Sequence, residues 1–154
     1  MFTKDNNHIT SQFWTEEDWQ DLHTANTAKD MYAVAERVVS RMPEPIGQVC
    51  GPIASGGLGS LEANLQAFNE TIKKLQAEGA HLFDQMPFEI PMQGLKKDLK
   101  PGEYAYSILD DFYLPLMQNE KITTFYFMPN WQTSTGARWE HDLVTKMGKE
   151  IKYL

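Results

Sequence analysis

A strand that gives way to a helix near Pro129 constrains the fold more than any other feature of the sequence. The run ITTFYFM at 122–128 consists of β-branched and aromatic residues, which favour a β-strand. Pro129 and Asn130 interrupt this run, and the hydroxyl groups of Thr133 and Ser134 can cap a helix that follows. A strand that leads directly into a helix is typical of α/β domains.

Glu140 lies on the apolar face of this predicted helix. Residues three, four and seven positions apart share one face, which groups Glu140 with Leu143, Val144 and Met147. Because burial disfavours a charged carboxylate, we expect Glu140 to be hydrogen-bonded, protonated or poised for chemistry. Gly136, one turn earlier, leaves open space beside it. Alternatively, Glu140 lies at the edge of the apolar stripe, where nearby donors hydrogen-bond to its carboxylate.

A second strand, turn and helix lie earlier in the chain. Residues 46–53 (IGQVCGPI) form a short apolar run, and residues 54–60 (ASGGLGS) form a glycine-rich turn. The following helix is predicted from apolar residues at alternating spacings of four and three: Leu61, Leu65, Phe68, Ile72 and Leu75. Gly56, Gly57 and Gly59 would let the backbone approach a ligand, and the start of the helix favours an anionic or electron-rich group. The sequence has neither a GxGxxG nor a Walker A motif, so a plain flexible turn is the alternative.

Strands and helices alternate along the chain after residue 45. The predicted strands cover 46–53, 80–84, 122–128 and 150–154, with helices between them. Such alternation with short connections predicts an α/β fold, in which a mostly parallel four-stranded sheet is covered by helices on both faces. We therefore divide the chain into an N-terminal helical extension, 1–45, and an α/β domain, 46–154, within one structural unit.

Two helices are predicted in the N-terminal extension. Thr15 with Asp18 resembles a capping box that has Asp in place of Glu, and Thr27 with Asp30 repeats this signal. The second helix carries a continuous apolar stripe: Met31, Val34, Ala35, Val38, Val39 and Met42. The stripe must be covered, by the sheet of the same subunit or, alternatively, by a second subunit.

Polar and aromatic side chains follow the predicted strand 80–84. Two prolines predict an irregular loop at 85–92, beyond the carboxyl end of that strand. The residues held there are Asp84, Gln85, Phe88 and Glu89. Ligands bind at this edge of open α/β sheets, and an amide beside an aromatic ring suits a flat heterocycle.

A further carboxylate lies on a helix predicted for 103–117, which we expect to be distorted or ended near Pro115. On this helix Asp110 points mainly to solvent, whereas Asp111 lies nearer the edge of the apolar face. Asp111 is therefore the better candidate for a functional role.

The composition narrows the possible partners. A net charge of −7 over 154 residues argues against a nucleic-acid polymer, because phosphate backbones bind clustered Lys and Arg. The single cysteine, Cys50, cannot form an internal disulfide, and its place in a predicted strand favours an inert buried thiol. We find no signal peptide and no apolar run long enough to cross a bilayer. We therefore expect a soluble, cytoplasmic protein without a membrane partner.

Several short motifs together resemble one family. In chain order they are Cys50-Gly51-Pro52-Ile53, Phe127-Met128-Pro129-Asn130-Trp131, Ser134, Gly136-Ala137, Glu140 and Gly148-Lys149-Glu150-Ile151. Over 46–154 the sequence is similar to the nucleoside 2-deoxyribosyltransferase-like superfamily. The resemblance implies a small flavodoxin-like or Rossmann-like fold. It also implies cleavage of the N-glycosidic bond of a nucleoside or nucleotide, by hydrolysis or by transfer of the sugar to another base.

The resemblance also implies roles for individual residues. By this comparison Glu140 is the nucleophile, Gly51 and the loop 54–60 hold the sugar or its phosphate, and Ser134 lies beside the sugar. We predict further substrate contacts at Pro52, Ile53, Gly56, Gly57, Gln85, Phe88, Glu89, Trp131 and Gly136. A buried carboxylate can attack or stabilise the oxocarbenium-like sugar, while a second acid protonates the departing base. We expect no metal or cofactor, and a homo-oligomer because members of the family are commonly oligomers.

One position departs from the family pattern. Relatives usually carry an Asp at the start of the third strand, where this chain has Thr123 or Thr124. We predict Asp111 as the second catalytic carboxylate, with Glu89 and Asp84 as alternatives.

The aromatic residues and the function itself leave alternatives open. The rings that could stack on the base are Trp131, Tyr126, Phe88 and Phe83, although a core aromatic residue is the simpler interpretation of each. A non-catalytic module that senses a nucleotide is the alternative function, supported by the missing Asp. A third possibility is an interaction protein whose N-terminal apolar stripe drives assembly.

Overall fold

The computed structural model describes residues 7–97, 99–100 and 105–154. Its contacts divide the chain into two compact units. A helical unit comprises Met1–Met42 and Gln85–Asn119, and a sheet unit comprises Pro43–Asp84 and Glu120–Leu154. The expected boundary at residue 45 falls close to the first of these divisions, but residues 85–119, which we assigned to the α/β domain, cluster with the N-terminal helices.

Four parallel strands form the centre of the sheet unit. They are β1 (Ile46–Cys50), β2 (Leu82–Phe83), β3 (Ile122–Phe127) and β4 (Glu150–Tyr153). The order across the sheet is β2-β1-β3-β4, which matches the first four strands of the flavodoxin-like order. The predicted α/β fold class with a small parallel sheet is thus confirmed.

Burial explains why these short runs form strands. All five residues of β1 are buried, as expected for a strand in the middle of a parallel sheet. In the register of β1 and β3, Gln48 lies beside Phe125 and Cys50 beside Phe127, so these four side chains share one face of the sheet. The edge strand β4 is mostly exposed. The core of the unit therefore lies along β1 and β3.

Two long helices complete the sheet unit. Helix α4 (Leu61–Ala77) connects β1 to β2, and helix α8 (Thr135–Met147) connects β3 to β4. Ser60 caps the start of α4, and Ser134 caps the start of α8, in both cases by accepting a backbone hydrogen bond from the third helical residue. Because crossovers between parallel strands are right-handed and these two run in opposite directions, α4 and α8 lie on opposite faces of the sheet.

The described part of the helical unit contains no strand. Its elements are α1 (His8–Ser11), α2 (Glu16–Thr24), α3 (Ala28–Arg41), α5 (Met86–Lys96), α6 (Tyr106–Ile108), a π-helical turn (Leu109–Tyr113) and α7 (Leu114–Met117). The predicted apolar stripe of α3 is buried, and within this unit α3 packs against α2, α5, the π-helical turn and α7. Among the described residues, no helix is both long and apolar enough to cross a membrane.

Helix α2 begins with the predicted capping box. The Thr15 hydroxyl accepts from the Asp18 amide at 3.2 Å, while the Asp18 carboxylate accepts from the Thr15 amide at 2.8 Å. Asp18 is fully buried and also pairs with Arg37 at 3.0 Å and Arg41 at 2.5 Å. Burial would raise the pKa of Asp18, but the hydrogen bonds from Arg41, from the Thr15 backbone and from Arg37 outweigh it and lower this pKa to about 2.

The prediction of an irregular loop at 85–92 was wrong, because this segment forms the start of helix α5. Pro87 lies in the first turn, where a helix needs no amide donor, so it starts the helix rather than preventing it. Pro91 lies inside the helix and removes one internal hydrogen bond. The distortion predicted near Pro115 is present as the π-helical turn that precedes it, while the expected start of that helix at residue 103 lies outside the described residues.

Candidate functional site

The candidate site lies in the sheet unit, where β1 and β3 end side by side. The chain leaves β1 toward β2 on one side and leaves β3 toward β4 on the other, so the two loops diverge at this point. In open parallel sheets, ligands bind in the crevice that such a switch of direction creates. The loop 51–60 after β1 and the loop 128–134 after β3 form the walls of the site.

Glu140 lies in the second turn of α8 and is only 8% exposed. Ala137 and Val144, on the same face of the helix, are also buried, as the helical periodicity predicts. The thiol of Cys50, the last residue of β1, forms a hydrogen bond with the Glu140 carboxylate. Glu140 therefore lies beside the carboxyl end of a central strand.

The Cys50 thiol keeps its proton. Burial raises the pKa of this thiol well above its ordinary value, and the negative charge of Glu140 and the hydrogen bond to it raise it further. Cys50 is completely buried, which agrees with the inert thiol expected from the sequence. Its chemical part in the site is that of a hydrogen-bond donor.

Asn64 organises the glycine-rich loop after β1. Its side-chain amide donates to the carbonyls of Ile53 at 2.9 Å and Gly56 at 3.1 Å, and its oxygen accepts from the amide of Leu58 at 2.9 Å. Asn64 is buried in the first turns of α4, four residues before the buried Phe68. Asn64 was not predicted as a site residue, although a polar side chain on an otherwise apolar helix face was the signal that could have revealed it.

The loop 51–60 is also joined to the loop after β3. The Gly57 amide donates to the Thr133 hydroxyl at 2.8 Å, and that hydroxyl donates to the carbonyl of Asn130 at 2.6 Å. The Thr135 amide donates to the Ser55 hydroxyl at 3.3 Å. Gly56 has a left-handed backbone with φ of 68°, and a Cβ there would overlap the backbone of Thr133. The loop is therefore a fixed, hydrogen-bonded structure rather than a plain flexible turn.

Close packing holds the start of this loop against β3. A Cβ at Gly51 would meet the Met128 side chain at 2.6 Å, so only glycine allows this contact without a shift. Pro52 lies against Gly57, and the Ile53 carbonyl is bonded to Asn64. Gly51, Pro52, Ile53, Gly56 and Gly57, all predicted as substrate contacts, thus belong to one rigid wall of the site.

An aromatic cluster borders the carboxyl ends of β3 and β4. Trp131 stacks on His141 with ring centroids 4.1 Å apart, and His141 Nε2 lies 2.7 Å from the Tyr153 hydroxyl. Phe127 packs edge-on against both Trp131 and His141. A cavity of about 400 Å³ opens beside this cluster, and its walls come from Phe127, Met128, Pro129, Asn130, Trp131, Gln132, Tyr153 and Leu154. Its volume and its partly apolar wall suit a single small, flat molecule.

The predicted site residues fall into two groups. Ser134 and Gly136 lie with Glu140 in the sheet unit, and the buried Ser134 hydroxyl accepts from the Ala137 amide as the cap of α8. The helical unit contains Gln85, Phe88, Glu89 and Asp111.

In the helical unit, Phe88 is fully buried against Trp14 and Phe112, so packing in the core accounts for this ring. Glu89 is also buried and accepts hydrogen bonds from Gln85 at 2.9 Å and from the Tyr113 hydroxyl at 3.1 Å. Asp111 lies in the π-helical turn and is half-buried. Its role as the second catalytic carboxylate stays a prediction.

Asp84 and Glu150 are two carboxylates of the sheet unit that could act together with Glu140. Asp84 directly follows β2, at the same edge of the sheet, and is only 5% exposed. Glu150, at the start of β4, accepts a hydrogen bond from the Thr124 hydroxyl at 2.9 Å. Thr124 lies three residues before the end of β3, about 10 Å along the strand, so Glu150 lies away from the carboxyl edge of the sheet. Among the described residues, no three His, Cys, Asp or Glu side chains group as metal ligands.

Comparison with known proteins gives a family and nothing more specific. No curated protein and no solved structure matches the chain. Residues 49–153, about two thirds of the sequence, match a family described as "Domain of unknown function (DUF4406)". The matched segment runs from β1 to β4 and so contains Cys50, Asn64, Asp84 and Glu140. The chain is therefore a member of the DUF4406 family of domains of unknown function.

Proposed function

We propose that the protein cleaves the N-glycosidic bond of a nucleoside, by hydrolysis or by transfer of the sugar to another base, with Glu140 as the nucleophile. The observation that carries this proposal is the buried Glu140 carboxylate beside the carboxyl end of β1, at the point where the sheet changes direction. The resemblance of the sequence motifs to the nucleoside 2-deoxyribosyltransferase-like superfamily supports the same assignment.

The chemistry requires a carboxylate in this kind of environment. As the bond to the base breaks, the anomeric carbon gains positive charge, and a carboxylate can attack it to form a glycosyl–enzyme ester. Water or a second base then displaces Glu140 from that ester. A site largely closed to water strengthens the attraction between the carboxylate and the developing charge. The low exposure of Glu140 favours this role over that of a solvated surface residue.

Asp84 is our candidate for the acid that protonates the departing base. Asp84 follows β2 at the carboxyl edge of the sheet, next to the end of β1. A retaining mechanism requires the two carboxyl groups to lie about 5 Å apart. Asp84 is only 5% exposed, and the role of general acid requires its carboxyl group to be protonated. Within the sheet unit, Asp84 and Glu140 are the buried carboxylates.

The polar groups of the glycine-rich loop favour a nucleoside over its 5′-phosphate. The amides of Gly57, Leu58 and Gly59 already donate within the site, to Thr133, Asn64 and Gly56 respectively. The loop carries no Lys or Arg. Arg138, near the start of α8, donates to the Gln132 carbonyl at 2.7 Å and to the Thr135 hydroxyl at 3.4 Å. A phosphate would therefore have to displace existing hydrogen bonds.

The cavity beside Trp131 suits the base. A flat heterocycle gains stacking energy from an aromatic wall, and the carbonyl and amide groups of the Asn130 and Gln132 side chains can pair with its edge. We also keep the prediction of a cytoplasmic homo-oligomer, in which a second subunit adds to this site.

The test is turnover of a panel of ribonucleosides, deoxynucleosides and their 5′-monophosphates, with and without a free acceptor base. We expect wild type to release or exchange the base of at least one nucleoside, as followed by chromatography. Glu140→Gln keeps the size of the side chain but removes the nucleophile, and should slow this reaction by at least about 10³-fold. Asp142→Asn is the matched control, because Asp142 is an exposed carboxylate two residues away on the same helix.

The outcomes separate the candidate functions. Equal activity in Glu140→Gln and wild type would contradict the assignment of Glu140. Turnover of monophosphates alone would contradict the preference for an uncharged sugar. If no compound is turned over but a nucleotide raises the melting temperature, the domain is the non-catalytic sensing module considered from the sequence.

A further inference from the structure

We propose that the protein forms a dimer through one edge of its sheet, where β4 (Glu150–Tyr153) pairs antiparallel with β4 of a second copy. The sheets of the two copies then form one continuous sheet. This inference goes beyond the proposed function and does not depend on it, because it rests on the edge strand and not on Glu140.

The two edges of the sheet differ in how well they are covered. Both residues of β2, the strand at one edge, are buried. At the other edge β4 is largely exposed, and among the described residues no further strand lies beyond it. The large side chains of Tyr153 and Leu154 are exposed there as well. Such an edge presents backbone donors and acceptors to which another strand can bind.

The backbone polar groups of Ile151 and Tyr153 point away from β3. The Leu154 amide donates to the Phe127 carbonyl at 2.9 Å, so the polar backbone groups of Leu154 point toward β3. These groups alternate between the two sides of an extended strand, so those of residues one and three positions earlier point outward. An added antiparallel strand therefore forms its hydrogen bonds with Ile151 and Tyr153.

The charges of β4 favour a second copy of the same strand, in one register. With the twofold axis at Ile151, two backbone hydrogen bonds join Ile151 to Ile151 of the partner subunit. Glu150 then lies opposite Lys152 of the partner subunit, and the symmetry repeats this pair of opposite charges. An axis moved by one residue in either direction places Glu150 opposite Glu150 of the partner subunit or Lys152 opposite Lys152 of the partner subunit, and like charges repel. The strand is therefore complementary to itself in the register centred on Ile151.

Both charged side chains lie on the same face of the sheet. The Glu150 carboxylate accepts a hydrogen bond from the Thr124 hydroxyl at 2.9 Å, and Lys152 Nζ lies 5.6 Å from the centre of the Tyr126 ring. Thr124 and Tyr126 are two residues apart on β3 and so share a face. Directly opposite residues of an antiparallel pair also point to one face, where their side chains can interact. The opposite charges of the two copies therefore meet on this face.

The pairing also reaches the cavity beside Trp131. Tyr153 and Leu154 form part of the wall of this cavity. Adjacent strands lie about 5 Å apart, so the start of the partner subunit's β4 lies next to Tyr153. Each copy therefore covers the outer side of the other copy's cavity wall.

The first test is the mass of the protein in solution as a function of its concentration, measured by analytical ultracentrifugation. Wild type should change from 17.7 kDa to twice this mass as the concentration rises. Ile151→Pro removes an amide that points outward but no hydrogen bond to β3, so this variant should stay folded and remain monomeric. Circular dichroism and thermal melting check its fold.

A charge exchange tests the register without any change of the backbone. Glu150→Lys and Lys152→Glu each place like charges at both symmetric contacts, so each should weaken the dimer by about 10-fold. The double variant Glu150→Lys/Lys152→Glu has opposite charges again and should dimerise as tightly as wild type. An equimolar mixture of the two single variants should form a heterodimer. Thr124→Val is the control, because it removes the hydrogen bond to Glu150 but no charge, and it should leave the dimer unchanged.

The outcomes separate this inference from the proposed function, because none of these measurements needs a substrate. Wild type that is still monomeric at about 1 mM would overturn the dimer, even if it turns over a nucleoside, and would leave the edge to another occupant such as an extended peptide. A dimer that persists in a folded Ile151→Pro variant would show that another surface joins the copies. Single charge variants that dimerise as tightly as wild type, or a double variant that does not recover, would contradict the register.

Discussion

Asp18 in the helical unit and Glu140 in the sheet unit are both buried carboxylates, but their partners differ in kind. Asp18 receives hydrogen bonds from two arginines and closes the capping box of α2. Glu140 receives the hydrogen bond of an uncharged thiol at the end of β1. Opposite charges make Asp18 a stabilising element, whereas the proposed function requires Glu140 to stay charged and reactive. Burial alone therefore does not distinguish a structural carboxylate from a chemical one.

Replacement of Asp18 should have the largest effect on stability. Asp18→Ala leaves Arg37 and Arg41 without their shared partner and removes half of the capping box, so we expect a loss of about 3–5 kcal/mol in the free energy of unfolding. Asp21→Ala is the control, because Asp21 pairs with the same Arg37 from a half-exposed position, and its replacement should cost less than about 1 kcal/mol. Denaturant unfolding at neutral pH measures both values.

The stability difference between wild type and an Asp18 variant should depend on pH if its origin is electrostatic. The folded-state pKa of Asp18, about 2, lies below the ordinary value of 3.8, so its contribution is present above pH 4 and is lost as the pH falls toward 2. The difference between these two pKa values of Asp18, nearly two units, corresponds to about 2 kcal/mol in the free energy of unfolding. A stability difference between wild type and Asp18→Asn that does not shrink over this range would contradict the comparison.

Replacement of Asn64 should reduce stability less than replacement of Asp18 does, but it should also change the structure of the site. Asn64→Ala leaves two carbonyls and one amide of the loop without their partner, which we expect to cost about 1–3 kcal/mol. Because this loop forms a wall of the site, substrate affinity should fall as well, as measured by KM.

Asn64→Asp separates the two kinds of hydrogen bond made by Asn64. It keeps the acceptor for Leu58 but loses the donor to Ile53 and Gly56, so its stability should lie between those of Asn64→Ala and wild type. If Asn64→Ala has both the stability and the KM of wild type, the loop is not organised by this residue.

The effect of alkaline pH on Cys50 is the smallest of these predictions. A folded-state pKa above the ordinary value of 9.0 means that the unfolded chain releases the thiol proton first, so wild type loses stability as the pH rises past 9. The loss should be about 1.4 kcal/mol for each pH unit up to the folded-state pKa, and it should be absent in Cys50→Ser. If the stability of wild type and that of Cys50→Ser change with pH in the same way above pH 9, the pKa of the buried thiol is not raised.

The fold was largely predictable because its signals are local. Short runs of apolar, β-branched and aromatic residues predicted the four strands, and helical spacing predicted the α3 stripe and helix α4. The Thr15–Asp18 pair predicted the start of α2. The error at 85–92 has a local cause too. Proline marks a helix start as readily as a loop, and the apolar pattern between two prolines was too short to decide.

The site was predictable only in part, because its contacts join residues far apart in the sequence. Glu140 was visible as a carboxylate on an apolar face, but its donor Cys50 lies ninety positions earlier and is brought near by the register of the sheet. The bonds from Asn64 to its loop and from Gly57 to Thr133 likewise depend on the folded backbone. Periodicity and spacing carry no information about such pairings.

The most direct test of the central claim is to trap the sugar on the protein. A fluorine at C2 of the sugar disfavours the positively charged transition state, so a 2-fluoro-nucleoside should slow the release of the glycosyl–enzyme ester. After digestion, mass spectrometry should find the added sugar on the peptide that contains Glu140, and should find none in Glu140→Gln. Attachment of the sugar to Asp84 or to another carboxylate would contradict the account. So would Glu140→Gln releasing the base of a good substrate as fast as wild type does.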